Sequence, residues 1–141
     1  MTLKFNKNGN LPIDVTLTAG QFKTNFGYNS QRKKQIEHLL TIAKILALLG
    51  CTEMYLGGSF VTTKALPNDL DVCFDATVLD VAALWKNNPA LVSAEGRKKT
   101  LDSFGIHIFF MTTNNTEILD FFRRDRNDNK KGLVKILLKN L

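Results

Sequence analysis

Cysteine is scarce in this 141-residue chain, with Cys51 and Cys73 the only two. They lack the close pairing of a zinc site or a thioredoxin-type motif, which removes those two classes from consideration. Both lie in apolar surroundings and read as free, buried thiols of a reducing compartment. Long apolar runs are missing as well. Nothing approaches the length of a membrane span, and no basic amino-terminal region leads into an apolar stretch, so the expectation is a cytoplasmic protein with no membrane partner. Internal repeats and low-complexity tracts are absent too. Aromatics interleaved on a basic strand face are also lacking, which counts against a dedicated RNA-binding module.

What remains is the composition of a folded enzyme-sized domain. Hydrophobic residues at 44% and charged residues at 23% fit a globular core rather than a disordered tract. The length suits one core and not two, hence a single domain over 1–141, with 1–16 reading as an arm or an edge strand. A formal net charge of +6 suits a polyanionic ligand such as a nucleoside triphosphate or RNA.

Thr18 and Gln21 form a capping box before Phe22 and Phe26, and Gly27 is expected to close that short helix in the left-handed conformation. Asn29 or Ser30 caps a longer helix with the stripe Ile36, Leu39, Leu40, Ala43, Leu46 and Ala47, ended by Gly50. Ile42, Ile45, Leu48 and Leu49 widen the stripe, so its carboxyl end should be the more deeply buried. Arg32, Lys33 and Lys34 oppose the helix dipole in the first turn and read as a solvated face. Met54-Tyr55-Leu56 and Leu70 to Ala76 have strand patterns. Thr77 is expected to cap a helix through Trp85, with Trp85 in the core. Ser103 to Met111 alternates as a third strand. Glu117 to Arg126 reads as a helix whose arginines Arg123, Arg124 and Arg126 sit favourably at its carboxyl end. Leu133 to Lys139 reads as a last strand, on a sheet edge protected by Lys135 and Lys139. The fold class is α+β, a mixed sheet with helices packed on it.

The chemistry concentrates in Gly57-Gly58-Ser59 and, after nine further residues, Asp69-Leu70-Asp71. Side chains two apart on a strand share a face about 7 Å apart, so Asp69 and Asp71 project together while Leu70, Val72 and Phe74 face the core. Two carboxylates on one face repel unless a cation lies between them, and Mg²⁺ is the usual partner when phosphate oxygens complete the shell. Two glycines let the backbone approach a phosphate, and N–H groups at the start of a helix after Ser59 would supply donors. Lys64 reads equally as a phosphate contact and as an exposed loop lysine. Cys73 lies on the face of the aspartates, either lining the far wall of the site or filling core.

The turn followed by Asp-x-Asp resembles the nucleotidyltransferase superfamily, the fold that includes the palm of DNA polymerase beta. The run Gly58-Ser59-Phe60-Val61-Thr62-Thr63-Lys64 with Pro67-Asn68-Asp69-Leu70-Asp71 is similar to a subset of small bacterial and phage proteins. The resemblance extends to Leu11-Pro12, Phe26-Gly27, Gly50-Cys51 and Lys131-Gly132. It implies a minimal nucleotidyltransferase fold in which Gly57, Gly58, Ser59 and Lys64 face the nucleotide, and Asp69 and Asp71 hold Mg²⁺ or Mn²⁺. It further implies transfer of a nucleoside monophosphate to an RNA, protein or small-molecule hydroxyl, in a setting such as a toxin–antitoxin pair; the small size of the chain, with no second domain to read a large acceptor, favours a protein partner for that task. The superfamily places a third carboxylate on the next strand. Here the corresponding face offers His107, a general base for an acceptor hydroxyl but a poor Mg²⁺ ligand, with Asp102 or Asp75 as substitutes in another register. A member of the same fold that binds nucleotide or partner without turnover is the alternative.

Overall fold

The computed structural model describes residues 2–139 and 141. Its chain order is β1 (Val15–Leu17), α1 (Ala19–Phe26), α2 (Ser30–Leu48), β2 (Glu53–Gly57), a 3-10 turn (Ser59–Val61), β3 (Leu70–Asp75), α3 (Val81–Asn87), a second 3-10 turn (Pro89–Leu91), α4 (Ala94–Phe104), β4 (Ile106–Met111), α5 (Glu117–Phe122) and β5 (Val134–Leu137). The five strands form one mixed sheet in the order β1-β5-β2-β3-β4. β1 runs parallel to β5 and β3 parallel to β4, while β2 is antiparallel to both of its neighbours. The fold is therefore α+β. No helix among the described residues is long and apolar enough to cross a membrane.

Alternation along β3 divides the core. Leu70, Val72 and Phe74 are fully buried in the larger cluster, with Ile106, Ile108, Met54, Leu56 and the stripe of α2. Cys73 joins Met111, Leu119, Phe122 and Leu133 in a smaller cluster on the opposite face, where α5 packs. Cys73 is thus core filler, and its thiol is pushed up to about 12, chiefly by burial.

Local chemistry explains most boundaries. The capping box of Thr18 and Gln21 forms, with Gln21 N donating to Thr18 Oγ1 at 3.0 Å and Thr18 N to Gln21 Oε1 at 3.0 Å. Asn29 is the cap of α2, accepting from Arg32 N at 2.9 Å. Gly27 does not adopt the left-handed conformation, its φ being −96°. It is small for another reason: a Cβ there would meet the Lys23 carbonyl oxygen at 2.7 Å.

Several expected placements are corrected. Leu48 is 88% exposed, pointing outward from the last turn of α2, while Leu46 is fully buried and Leu49 packs against the core. Asp80, not Thr77, caps α3, and Trp85 is half exposed. Ser103 and Phe104, expected in the third strand, instead end α4, which Ser93 caps, and Gly105 (φ 67°) turns the chain into β4. α5 ends at Phe122, so Arg124 and Arg126 belong to the following loop. β5 is interior, between β1 and β2, and Lys135 serves as an ion-pair partner of Glu53 at 3.4 Å rather than as an edge guard. β1 lies at the sheet edge and takes only Val15 and Thr16 from the segment 1–16.

Candidate functional site

The segment between β2 and β3 is positioned by the first turns of α2. Arg32, 0% exposed, donates to the Phe26 carbonyl at 3.2 Å, to Phe60 at 2.8 Å, to Thr62 at 3.1 Å and to Lys64. Its guanidinium is sandwiched 4.5 Å from the Tyr28 ring and 4.6 Å from that of Phe60. Asn29 and Gln31 bond the Ala65 and Pro67 carbonyls at 2.7 and 3.0 Å. Arg32 is therefore not part of a solvated face. A loop with many inward carbonyls needs a buried multiple donor, and this need outweighs the unfavourable dipole.

Gly58 (φ 76°) leads into the 3-10 turn, and a Cβ on it would crowd the Asp71 carboxylate at 3.1 Å. The expected polar helix after Ser59 is only that three-residue turn, with Phe60 and Val61 buried, so it offers no extended row of free donors. Ser59 Oγ instead donates to Asp69 Oδ1 at 3.3 Å. Asp71 pairs across the sheet with Gly57 on one side and His107 on the other. Asp69 and Asp71 both line an open cleft of about 530 Å³, together with Gly58, Ser59 and Lys64. The aspartates thus converge as strand alternation requires.

Electrostatically the floor of this cleft is unusual. Asp71 is only 8% exposed, and its Oδ1 has no hydrogen-bond partner. Burial, and then the charge of Asp69, push its carboxyl up to about 6, while Lys131 pulls the other way. Lys131, 6% exposed, donates from Nζ to the Gly58 carbonyl at 2.6 Å. Its own pKa is lowered, mainly by burial, against the pull of Asp71, Asp125 and Asp69. His107 Nδ1 stands 3.8 Å from Asp71 Oδ1. The expected register of the third strand holds there, although His107 is not among the residues lining the cleft. Asp102 lies away from the site, paired with Lys98 on α4, and Asp75 is engaged with Thr77.

Gly57 has a different task from the one expected. It does not line the cleft, and a Cβ there would lie 2.8 Å from Phe122 Cγ. Its missing side chain admits α5 against the sheet, which makes Gly57 a packing residue. Beyond α5 the loop is organised by Asp125, which accepts from Asn10 Nδ2 at 2.9 Å, Asn127 N at 2.9 Å and Asn129 N at 2.9 Å. Those bonds, led by Asn10, hold its carboxyl down at about 2. The loop carries Arg124 and Arg126 to the rim of the cleft.

The whole assembly, from Asn8 to Lys131, falls inside residues 3–137, which match the profile of a family of unknown function, DUF6932. The chain belongs to DUF6932. No curated protein and no solved structure matches it.

Could this DUF6932 site hold a divalent ion? Among the described residues no three of His, Cys, Asp and Glu form a ready-made ligand set. The pair Asp69 and Asp71 nonetheless fits one, since a buried carboxylate oxygen without a partner is an oxygen ligand still to be used. The ion would draw its remaining ligands from phosphate and water. Sequence reasoning missed Arg32, Lys131 and the Asn10–Asp125 link. Only Lys131 left a trace: Leu11-Pro12 and Lys131-Gly132, distant in sequence, meet where Gly132 N donates to the Leu11 carbonyl at 2.7 Å.

Proposed function

We propose that this cleft is a Mg²⁺- or Mn²⁺-dependent nucleotidyl-transfer site on a minimal nucleotidyltransferase fold. The observation that carries the reading is Asp71, buried and unsatisfied beside Asp69 on the floor of an open cleft. Two carboxylates so placed cost the apo protein stability, and a divalent ion with a polyphosphate relieves that cost. The resemblance of Gly58-Ser59 and Asp69-Leu70-Asp71 to the nucleotidyltransferase signature supports the same chemistry. So do the cations lining the cleft, Lys64, Arg124 and Arg126, which suit a polyanionic ligand such as a nucleoside triphosphate.

In this reading Asp69 and Asp71 hold the ion, whose chemistry when bound is to neutralise charge on the phosphates. Gly58 lets the backbone and the Asp71 carboxylate approach each other, and Lys131 fixes the Gly58 carbonyl. Ser59 keeps Asp69 oriented and turns its hydroxyl to phosphate when the site is filled. His107, beside Asp71, accepts the proton of an acceptor hydroxyl as that oxygen bonds to the α-phosphorus and pyrophosphate leaves. The acceptor is an RNA, protein or small-molecule hydroxyl.

One observation favours a second reading, a member of the same fold that binds nucleotide without transfer. The position beside Asp71 on β4 carries His107, which adds no negative charge for a second ion. Incubation with each α-labelled triphosphate, Mg²⁺ or Mn²⁺, and total cellular RNA or protein separates the two. Label on a macromolecule that disappears with Asp71→Asn supports transfer; nucleotide binding without label supports the second reading. Absence of any divalent-dependent nucleotide binding refutes both.

A further inference from the structure

The exposed aromatics of this chain are not equivalent. Tyr28, Trp85, Phe104 and Phe121 all show substantial surface, but only Phe121 lines the cleft that holds the aspartate pair. It is 65% exposed, so most of its side chain is open to a ligand in the cleft. Its placement is also built rather than incidental. Phe122, the next residue, is 1% exposed and seats α5 in the space left by the missing Gly57 side chain. The Phe109 ring meets Phe122 edge-on at 5.7 Å between centroids. Just past the helix, Arg123 is clamped by Asp14, with Nη2 at 2.9 Å and Nε at 3.0 Å from the same oxygen. Anchored on both sides, Phe121 is left at the cleft wall. The cations Arg124 and Arg126 follow it along the same rim.

From this arrangement we infer that Phe121 is the platform on which the nucleobase of the bound nucleoside triphosphate stacks. The inference rests on the nucleotide reading of the cleft and adds the part of the ligand that reading leaves unassigned. A triphosphate drawn to Asp69 and Asp71 by its metal ion leaves its sugar and base to extend toward the wall. Every nucleobase has an apolar face that covers an exposed phenyl ring, so the contact is tolerant of base identity. A cleft of about 530 Å³ lies within the usual range for ligands of this size.

The test compares two probes on the full chain by calorimetry: ATP with Mg²⁺, and inorganic tripolyphosphate with Mg²⁺. Tripolyphosphate carries the phosphates without a base. Phe121→Ala is expected to weaken ATP binding about tenfold or more, the scale of one base–aromatic stack, and to leave tripolyphosphate binding unchanged. Phe121→Tyr, which keeps the ring face, should bind both probes like the wild type. Unchanged melting curves for both variants will show that the fold is intact, as expected for an exposed side chain. If the wild type binds both probes and Phe121→Ala loses neither, or loses both equally, the base platform is overturned while the phosphate and metal reading stands. If the wild type binds neither probe, that reading falls and the platform with it.

Discussion

Replacing Asp71 by Asn should make the metal-free protein more stable while removing divalent-dependent nucleotide binding. Burial and the neighbouring charge of Asp69 raise the Asp71 carboxyl from 3.8 to about 6. The folded state therefore holds this proton more tightly than the unfolded chain does. The resulting stabilisation is fully present below the unfolded value and is lost as the pH rises through about 6. Above that, ionised Asp71 costs about 3 kcal/mol, at about 1.4 kcal/mol for each pH unit between the two values. Asparagine keeps the shape and removes the charge. Against this gain stand an amide that lacks a full set of partners and a Lys131 that loses a favourable neighbour, together about 1–2 kcal/mol. The net gain at about pH 8 is then about 1–2 kcal/mol, or a rise in Tm of about 3–8 °C for a domain of this size. The comparison is made by urea denaturation with a chelator present, from about pH 4 to about pH 8. The advantage of the variant should be small or reversed at the acid end and grow with pH. A variant less stable than the wild type at about pH 8, or a difference that does not change with pH, would refute the assignment of Asp71 as a buried, unsatisfied charge. In the wild type the ion competes with the same proton, so metal-dependent nucleotide affinity should rise with pH through about 6.

Lys131→Met removes the cation that draws the Asp71 carboxyl downward, so the pH midpoint of metal-dependent nucleotide binding should move up; calorimetry across pH gives the midpoint, and an unmoved or lower one contradicts the coupling. Arg32→Met leaves the inward carbonyls of Phe26, Phe60, Thr62 and Lys64 without their donor and should cost about 3–5 kcal/mol in chemical denaturation, with a cost below about 1 kcal/mol showing that the loop holds itself. His107→Asp sets a third carboxylate beside Asp71 and should tighten Mn²⁺ binding while lowering stability without metal; a titration with no gain would mean that this position does not face the ion.

How much of this could be seen without coordinates depended on the range of the cause. Period-two alternation placed Leu70, Val72 and Phe74 in the core, and the same rule set Asp69 and Asp71 together and His107 beside Asp71. The caps at Thr18 and Asn29 were legible because a side chain and its target lie three residues apart. Phe104 shows the limit of such local patterns, since it continues the alternation of β4 yet ends α4, with Gly105 making the turn between them.

Causes that act across the chain left no periodic mark. Nothing near Arg32 announces four carbonyls contributed by residues up to 32 positions away. By local rules a cation in a first turn is a misplaced surface charge. The same blindness put Lys135 on an edge, since strand order follows from which strands pair and not from the residues of one strand. Gly57 is the sharpest case. In sequence it is the first residue of a phosphate-turn motif; in the fold its missing Cβ makes room for Phe122 and so sets where Phe121 stands. Gly57 and Gly58 thus answer to different demands, one to the helix packed on the sheet face that Asp71 and Cys73 share, the other to the Asp71 carboxylate itself. A motif that reads as one functional unit is divided into a residue that seats the helix carrying Phe121 and a residue that lets the backbone approach the carboxylate.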